Sequence, residues 1–300
     1  MPVALVGPTA IGKSAVAAEL CRRVGGEIIS VDSRQVFRHI PIATNVATAA
    51  DLGGVRSHLT EVLEPEERVD AASFISMASP VVRDLAERGR AAVLTAGTGM
   101  YLEALLRGRD LGGHAADPKL RAELEAAAEG DLGALFRRLQ DVDPAVAAAT
   151  DPRNPVRVVR RLELALLRGR GDAPTLATTP PIAALKVGLD CDRSALHTRI
   201  SARIDVMLEN GLREEVECLL DEHRPSAQVL AGIGVAEMVA HLRHGAELGR
   251  CVARMAQRTR AYARRQITWF RADAGTRWID TGGRSASDIV DSVLDILETT

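Results

Sequence analysis

The sequence predicts an α/β fold in which a parallel sheet is flanked by helices and the chain carries an all-helical insertion. Three short apolar segments, Val3–Val6, Glu27–Val31 and Ala91–Thr95, have the length of buried strands rather than helices. Each is followed by glycine or polar residues, as expected at the carboxyl edge of a parallel sheet, where ligands bind. In addition, residues 118–170 show a helical pattern between two glycine-rich linkers.

The first apolar segment leads directly into a phosphate-binding loop of the pattern G-x-x-x-x-G-K-[ST], formed by Gly7, Pro8, Thr9, Ala10, Ile11, Gly12, Lys13 and Ser14. Gly7 and Gly12 allow backbone angles that turn amide N–H groups inward, so that an anion nest forms at the start of a helix. Lys13 adds a positive charge, and the Ser14 hydroxyl can ligate Mg²⁺. The chain contains only three lysines, which argues against a chance match. The loop predicts a P-loop sheet core and, taken alone, nucleotide (ATP) binding.

The second apolar segment is followed by Asp32, Ser33, Arg34 and Gln35. Asp32 is therefore expected to face the phosphate loop from the same edge of the sheet. A helix N-cap or a turn explains an Asp-Ser pair equally well, so the local sequence leaves both roles open.

The third apolar segment is followed by Gly97-Thr98-Gly99, which places a hydroxyl at the same edge. Taken alone, Thr98 is better explained as the N-cap of a helix over 100–106. The segment carries none of the acidic residues that partner Mg²⁺ or water in a working ATPase. This absence disfavours motor and switch NTPases and leaves transferases.

Composition bounds the class of protein. The chain has 300 residues, 46% of them hydrophobic and 26% charged, with a net charge of −2, so any nucleic-acid-binding surface must be local. Aromatic residues make up 3%, too few for recognition by rows of stacking rings. The four cysteines form no C-x-x-C pair, which argues against a zinc finger and more strongly against a disulfide framework. No signal sequence and no long apolar run is found, so we expect a cytoplasmic protein.

The spacing of apolar residues predicts the other elements: strands over 58–63 and 186–190, and helices over 72–88, 119–128, 132–140, 145–149, 155–167, 196–220, 250–271 and 288–297. We predict that residues 1–112 and 182–300 form the sheet core with C-terminal helices, and that 113–181 form the helical insertion. Trp269, Phe270 and Trp278 are expected to close the core.

A basic segment lies near the C-terminus. Residues 250–271 contain seven arginines and no acidic residue, the strongest polyanion-binding signal in the chain. The alternative is a solvated helix whose arginines pair with acids elsewhere. Arg199 and Arg203 also share one helical face, where solvation is the usual role and anion binding the less common one.

Five segments together resemble one family in order and spacing, the bacterial tRNA dimethylallyltransferases, also called tRNA isopentenyltransferases: Gly7–Ser14, Ser30–Arg38, Gly97–Leu102, Asn154–Glu163 and Arg264–Phe270. The resemblance implies transfer of a dimethylallyl group from dimethylallyl diphosphate to N6 of adenosine 37, beside the anticodon of tRNA, with release of diphosphate. It also implies Mg²⁺ as cofactor, no membrane and a monomeric protein. The phosphate loop would then hold the donor's diphosphate rather than ATP.

The resemblance assigns roles residue by residue. Asp32 is similar to the family's general base, Thr98 to its site hydroxyl and Arg203 to its diphosphate-binding arginine. Ser14 corresponds to the Mg²⁺ ligand. The positions similar to tRNA contacts are Asp32, Ser33, Arg34, Gln35, Thr98, Arg121, Arg157, Arg160 and Arg161.

The chain departs from the family pattern in three places. Ala43–Val46 replaces a segment that usually ends Gly-Thr-Ala-Lys, and Ala96-Gly97-Thr98 replaces Gly-Gly-Thr. Ala231–Ala236 replaces a tRNA-contacting segment resembling Arg-x-x-Gly-Tyr-Lys/Arg and lacks its basic and aromatic groups. We therefore expect altered tRNA contacts at this segment.

Two other functions share some of these features. A small-molecule or nucleotide kinase would use the same loop, with Asp32 accepting the acceptor's hydroxyl proton. However, a kinase of that kind needs neither the basic segment nor the arginine-bearing insertion. A non-catalytic RNA-binding protein would not need Asp32, Thr98 and Arg203 together.

Overall fold

The structure, a computed structural model, describes residues 1–108, 117–170 and 181–299. The chain forms two compact units. The core unit comprises Met1–Arg107 and Pro181–Thr300, and the insertion unit comprises Gly108–Pro180. The predicted first boundary of the insertion, between residues 112 and 113, lies outside the described residues.

The core unit is built on a six-stranded sheet in which every pairing is parallel, so the predicted α/β fold is confirmed. The strand order is β3-β2-β4-β1-β5-β6. The strands are β1 (Val3–Val6), β2 (Glu27–Val31), β3 (Ser57–His58), β4 (Ala92–Ala96), β5 (Leu185–Asp190) and β6 (Arg277–Asp280).

The register of three central strands positions the site. Val6 pairs with Ala96, and Ala96 pairs with Val31, so β1, β2 and β4 end at the same level. All their residues are buried, as expected for parallel strands covered on both faces. The residues that follow, Gly7, Asp32 and Gly97, are therefore neighbours at one edge of the sheet.

Helices complete both units. Those of the core unit are α1 (Lys13–Val24), α2 (Pro41–Thr44), α3 (Ala71–Glu87), α4 (Gly99–Arg107), α8 (Arg193–Glu209), α9 (Leu212–Glu222), α10 (Ala227–Leu230), α11 (Val235–His244), α12 (Leu248–Arg271) and α13 (Ala286–Glu298). Those of the insertion unit are α5 (Pro118–Val142), α6 (Pro144–Ala148) and α7 (Pro155–Arg170). Among the helices in the described ranges, none has the length and apolarity needed to span a bilayer.

The predicted continuous helix over 196–220 was wrong. The chain leaves the helical path at Asn210, and Gly211, with φ +91°, begins a second helix, α9. A glycine adopts this left-handed conformation without steric cost, so the break occurs there. It lets Glu215 of α9 accept hydrogen bonds from the backbone amides of Ile42 and Ala43 at 2.7 and 2.8 Å, which caps α2.

Two other predictions were also wrong, and one strand was not predicted. Trp269 does not close the core but is 50% exposed, because it lies off the buried stripe of α12 that includes Phe270. The strand predicted over 58–63 comprises only Ser57–His58, since Leu59 and Glu61 have positive φ and turn the chain. Strand β6 was not predicted; it is four residues long and only Trp278 and Ile279 are apolar, which gives little apolar signal.

The insertion unit has its own apolar core, to which α5 and α7 contribute most residues. Asp131 has non-helical angles and kinks α5, which separates the two segments predicted as helices over 119–128 and 132–140. Glu163 is fully buried, and one of its oxygens lies 3.1 Å from Arg121 and 2.8 Å from Arg160. Arg157 and Arg161 are exposed.

A buried ion pair fixes the start of β2. Glu27 accepts hydrogen bonds from Arg88 at 2.7 and 3.3 Å, and Nε2 of His58 lies 2.7 Å from its carboxylate. The hydrogen bonds from Arg88 lower the pKa of Glu27 to about 2, against the opposing effect of burial. The carboxylate therefore stabilises the fold only while it is ionised.

We predict that Glu27→Gln lowers the free energy of unfolding at pH 7 by about 1–3 kcal/mol, the usual worth of hydrogen bonds to a charged group. The folded-state pKa lies below the unfolded value, so the wild-type stabilisation is present above about pH 5 and is lost as the pH falls from 4.5 towards 2. Urea unfolding at pH 7, 4 and 3 measures both effects.

The matched control is Glu64→Gln, because Glu64 also pairs with an arginine, Arg38, but with its side chain 43% exposed. It should cost less than about 1 kcal/mol. If wild type and Glu27→Gln lost equal stability between pH 5 and pH 3, the assignment would be incorrect.

Candidate active site at the carboxyl edge of the sheet

The phosphate loop connects β1 to α1 and is held in its shape by glycine. Gly7 has φ +141°, and a β-carbon there would lie 2.4 Å from the carbonyl oxygen of Leu189, so no other residue fits. Gly12, with φ +100°, directly precedes the first residue of α1. The positive end of α1 thus starts at Lys13 and Ser14, which favours an anion in the loop.

Lys13 donates hydrogen bonds to the carbonyl oxygens of Gly7 at 2.9 Å and Pro8 at 2.8 Å. Burial and, to a lesser extent, the nearby charge of Arg203 together lower the pKa of Lys13 to about 7, against the opposing effect of Asp32. The side chain is thus held within the loop with its proton only weakly bound. An anion in the nest would favour its charged form.

Helix α8 contacts the loop through the two arginines that share a face. Arg203 donates to the hydroxyl of Thr9 at 2.9 Å, and Arg199 donates to the carbonyl oxygen of Ile11 at 3.4 Å. Burial lowers the pKa of Arg203. A desolvated guanidinium beside an anion nest is suited to binding phosphate oxygens.

Asp32 uses its two oxygens differently. Oδ1 accepts from the amides of Arg34 at 2.8 Å and Gln35 at 3.3 Å, which forms the turn that local sequence allowed. Oδ2 lies against Gly97, where a β-carbon would be only 2.0 Å away. The turn and the site role are therefore compatible, since one oxygen shapes the backbone and the other remains as a proton acceptor.

Thr98 connects the turns that follow β2 and β4. Its Oγ1 accepts from the Ser33 amide at 3.1 Å and lies 3.3 Å from the Ser33 hydroxyl. The amides of Gly97 and Thr98 both donate to the carbonyl oxygen of Val31 at 3.1 Å. These bonds hold Thr98 beside Asp32.

Two residues of α12 reach this edge and were not predicted as site residues. Gln266, 5% exposed, accepts from the Thr9 amide at 2.8 Å and donates to the Gly97 carbonyl oxygen at 2.7 Å. The Tyr262 hydroxyl donates to the same oxygen at 2.8 Å, and burial raises the pKa of Tyr262, so it stays protonated. The sequence held one signal: Gln266 is a polar residue within the buried stripe of α12.

A cavity of about 410 Å³ opens from this edge. Its lining includes polar groups: Thr9, Asp32, Ser33, Arg34 and Arg203. It also includes aliphatic and thioether side chains: Ile40, Ile204, Met207, Val229, Val235 and Met255. A few convergent polar groups beside an apolar wall is the usual composition of a small-molecule site.

The altered segment Ala231–Ala236 contributes to the cavity wall and is anchored by α12. Arg258 donates to the Ala231 carbonyl oxygen at 2.9 Å and to Glu237 at 2.5 Å. Glu237, only 1% exposed, also accepts from the Gly234 amide at 2.9 Å. Arg258 of α12 therefore lies beside this segment, which has Ala231 and Ala236 where the family pattern has basic residues.

Some arginines of the basic segment on α12 form ion pairs, and others are exposed to solvent. Arg258 and Arg271 form ion pairs with Glu237 and Asp190 respectively. Four others are exposed: Arg250, Arg254, Arg264 and Arg265. Pairing with acidic residues elsewhere in the chain, the alternative to polyanion binding, thus accounts for only some of these arginines.

One residue of the phosphate loop, Ser14, has a hydroxyl of the kind that binds magnesium. Among the described residues, no group of three or more His, Cys, Asp or Glu side chains is arranged to hold a metal ion. Mg²⁺ commonly uses one or two protein oxygens, with substrate phosphates and waters as its other ligands. The Ser14 hydroxyl at the start of α1 supplies such an oxygen.

We predict that binding of inorganic diphosphate is coupled to proton uptake by Lys13. Its pKa of about 7 in the free protein leaves it about half deprotonated at pH 7 and more so at pH 8. The bound anion raises that pKa, so protons are taken up, and more of them at pH 8. Titration calorimetry in buffers of different ionisation enthalpy counts these protons.

Diphosphate itself exchanges protons, and Lys13→Arg corrects for this because arginine stays charged. Wild type should take up about 0.5 proton more than Lys13→Arg at pH 7. Equal proton counts for the two proteins would contradict the prediction.

Comparison with known proteins identifies the family. A family model described as IPP transferase matches residues 35–273. The tRNA dimethylallyltransferase of Halalkalibacterium halodurans is 38% identical, over 93% of this chain and 90% of its own. That of Geobacter metallireducens is 39% identical, over 94% and 93%.

Solved structures agree. The tRNA isopentenylpyrophosphate transferase from Bacillus halodurans matches with a TM-score of 0.74 and 35% identity, over 99% of this chain and 95% of its own. A eukaryotic dimethylallyltransferase acting on tRNA has a TM-score of 0.79 at 22% identity, over 99% and 79%, and supports the fold. The chain belongs to the tRNA dimethylallyltransferase (IPP transferase) family.

Proposed function

We propose that this protein transfers the dimethylallyl group of dimethylallyl diphosphate to N6 of adenosine 37 in tRNA and releases diphosphate. One observation carries the proposal. A single cavity brings Thr9 and Arg203 of the diphosphate side together with Asp32, a carboxylate that can accept a proton. Family membership supports the reaction class and disfavours the kinase alternative.

The phosphate loop stabilises the leaving group. Cleavage of an allylic C–O bond places positive charge on the allyl carbon and negative charge on diphosphate. The α1 N-terminus, Lys13 and Arg203 lie where that negative charge develops, so they stabilise the transition state more than the ground state. Mg²⁺, held by Ser14 and diphosphate oxygens, would supply further neutralisation of this charge when bound.

Asp32 serves as the base for the acceptor. The exocyclic amine of adenine is a weak nucleophile, and attack is aided when a carboxylate accepts its proton. Oδ2 of Asp32 is available for this role because Oδ1 is committed to the turn. Thr98, fixed by Ser33, places a hydroxyl beside the same position.

The apolar wall of the cavity suits the hydrocarbon part of the donor. Ile204, Met207 and Met255 can pack against a five-carbon chain and carry no charged or strongly hydrogen-bonding group. By excluding water, these side chains would also protect the developing allyl cation from hydrolysis.

Transfer RNA is the proposed partner. The adenine must leave its stack to reach a buried base, and arginines outside the cavity can hold the flanking phosphates. In the core unit these are Arg250, Arg254 and Arg264 of α12, and in the insertion unit they are Arg157 and Arg161. Arg34 and Arg265 line the cavity itself and, with Gln35, are proposed to contact the nucleotide that enters it. Arg121 and Arg160 already donate hydrogen bonds to Glu163, so each can offer a tRNA phosphate only its remaining N–H groups. We further propose a monomer that works in the cytoplasm, where this substrate occurs.

We predict that the protein with Mg²⁺ transfers label from dimethylallyl diphosphate to an unmodified tRNA with an adenosine-rich anticodon loop. Asp32→Asn should lower the rate of the chemical step about 10²–10⁴-fold, because the amide cannot accept the proton, while affinity for the donor changes little. Single-turnover assays and donor binding measure the two quantities.

Asp51→Asn is the matched control. Asp51 also binds a backbone amide, that of Thr48 at 2.8 Å, but does not line the cavity, so its rate should equal wild type. Consumption of ATP without label in tRNA would instead favour the kinase. Loss of donor affinity with unchanged turnover in Asp32→Asn would contradict the base assignment.

We also predict that Gly97→Ala lowers the transfer rate by about 10²-fold, the usual effect of misplacing a catalytic group by about 1 Å. The added methyl would overlap Oδ2 of Asp32 and displace it. Gly169→Ala, in α7 with open space around it, is the control. An active Gly97→Ala protein would show that Oδ2 is not the reacting oxygen.

A further inference from the structure

We propose that Gln266 is a positioning residue for the transfer, which fixes the leaving-group site and the base in one geometry. This inference rests on the proposed function. It assigns a role to a buried amide on α12 that is not among the residues lining the cavity but hydrogen-bonds the phosphate loop and the turn after β4.

The Gln266 side chain can adopt only one amide orientation here. Its Oε1 accepts from the Thr9 N–H at 2.8 Å, and its Nε2 donates to the Gly97 carbonyl oxygen at 2.7 Å. Reversing the amide would place donor against donor and acceptor against acceptor. Because the side chain is 5% exposed, both bonds form away from bulk solvent, where an unpaired polar group is costly.

The two bonds complete a chain of contacts across the site. Arg203 donates to Thr9, and Thr9 donates to Gln266. Gln266 in turn donates to Gly97, which lies directly against Oδ2 of Asp32. Gln266 therefore links the phosphate loop directly to the turn after β4, in addition to the pairing of β1 with β4.

The two backbone groups that Gln266 connects differ in their other hydrogen bonds. Tyr262 also donates to the Gly97 carbonyl oxygen, so that group keeps a partner if Gln266 is lost. The Thr9 amide would lose the partner it has in this structure. Loss of Gln266 should therefore loosen the phosphate loop relative to the Asp32 side while leaving both sites present.

The test uses the full-length protein with Gln266→Met, which keeps size and removes both bonds, and Gln266→Glu, which keeps an acceptor for Thr9 but not the donor to Gly97. Gln257→Met on the exposed face of α12 is the control. The readouts are kcat, KM for donor and tRNA, Kd for inorganic diphosphate, and thermal unfolding.

For both Gln266 variants we expect kcat to fall about 30- to 100-fold, with KM and the diphosphate Kd changed less than about threefold, as for misoriented reactants that still bind. Gln257→Met should match wild type. Folding of each variant is checked by its melting temperature, and Gln266→Glu retains a polar partner if Gln266→Met is unstable.

Three results would overturn the inference: kcat within threefold of wild type for folded Gln266→Met, a loss confined to KM, or full activity of Gln266→Glu, which would reduce Gln266 to support of the loop alone. Failure of the proposed function looks different, since the wild-type protein itself would then transfer no label to tRNA.

Discussion

The site depends on the register of three parallel strands. Because β1, β2 and β4 end at one level, the residues that follow them meet without any long connection. A slip of one residue in β2 would turn Asp32 to the other face of the sheet, since side chains alternate along a strand. Burial of every residue in these strands opposes such a slip and makes the positions of Gly7, Asp32 and Gly97 a consequence of core packing.

Helix α12 serves two purposes with two faces. One face carries exposed arginines suited to a polyanion. The other is buried and contains Thr259, Gln266 and Phe270. The buried face brings hydrogen bonds to the edge of the sheet from a part of the chain far from it in sequence. An RNA held on the exposed face and the groups that react with it are thus supported by the same rigid element.

Much of this could be predicted from sequence because the signals are local. The phosphate loop, Asp32 and Thr98 each follow a short apolar strand, and parallel strands deliver such residues to one edge. Gln266 could not be found in this way, because its partners lie 257 and 169 residues away and its neighbours in sequence are unremarkable helix formers. The break at Gly211 was missed because helical periodicity continues on both sides of it. The exposure of Trp269 was missed because the hydrophobicity of a residue does not show which face of its helix is buried.

The turn after β4 has a consequence for where charge can reside. The amides of Gly97 and Thr98 both donate to Val31, and the Gly97 carbonyl oxygen accepts from Gln266 and Tyr262. These two amides are therefore not available to an anion, whereas the phosphate loop presents the start of a helix and two cationic side chains, Lys13 and Arg203. The anionic end of a ligand is therefore expected on the phosphate-loop side, and the turn after β4 supplies the fixed backbone against which Oδ2 of Asp32 lies.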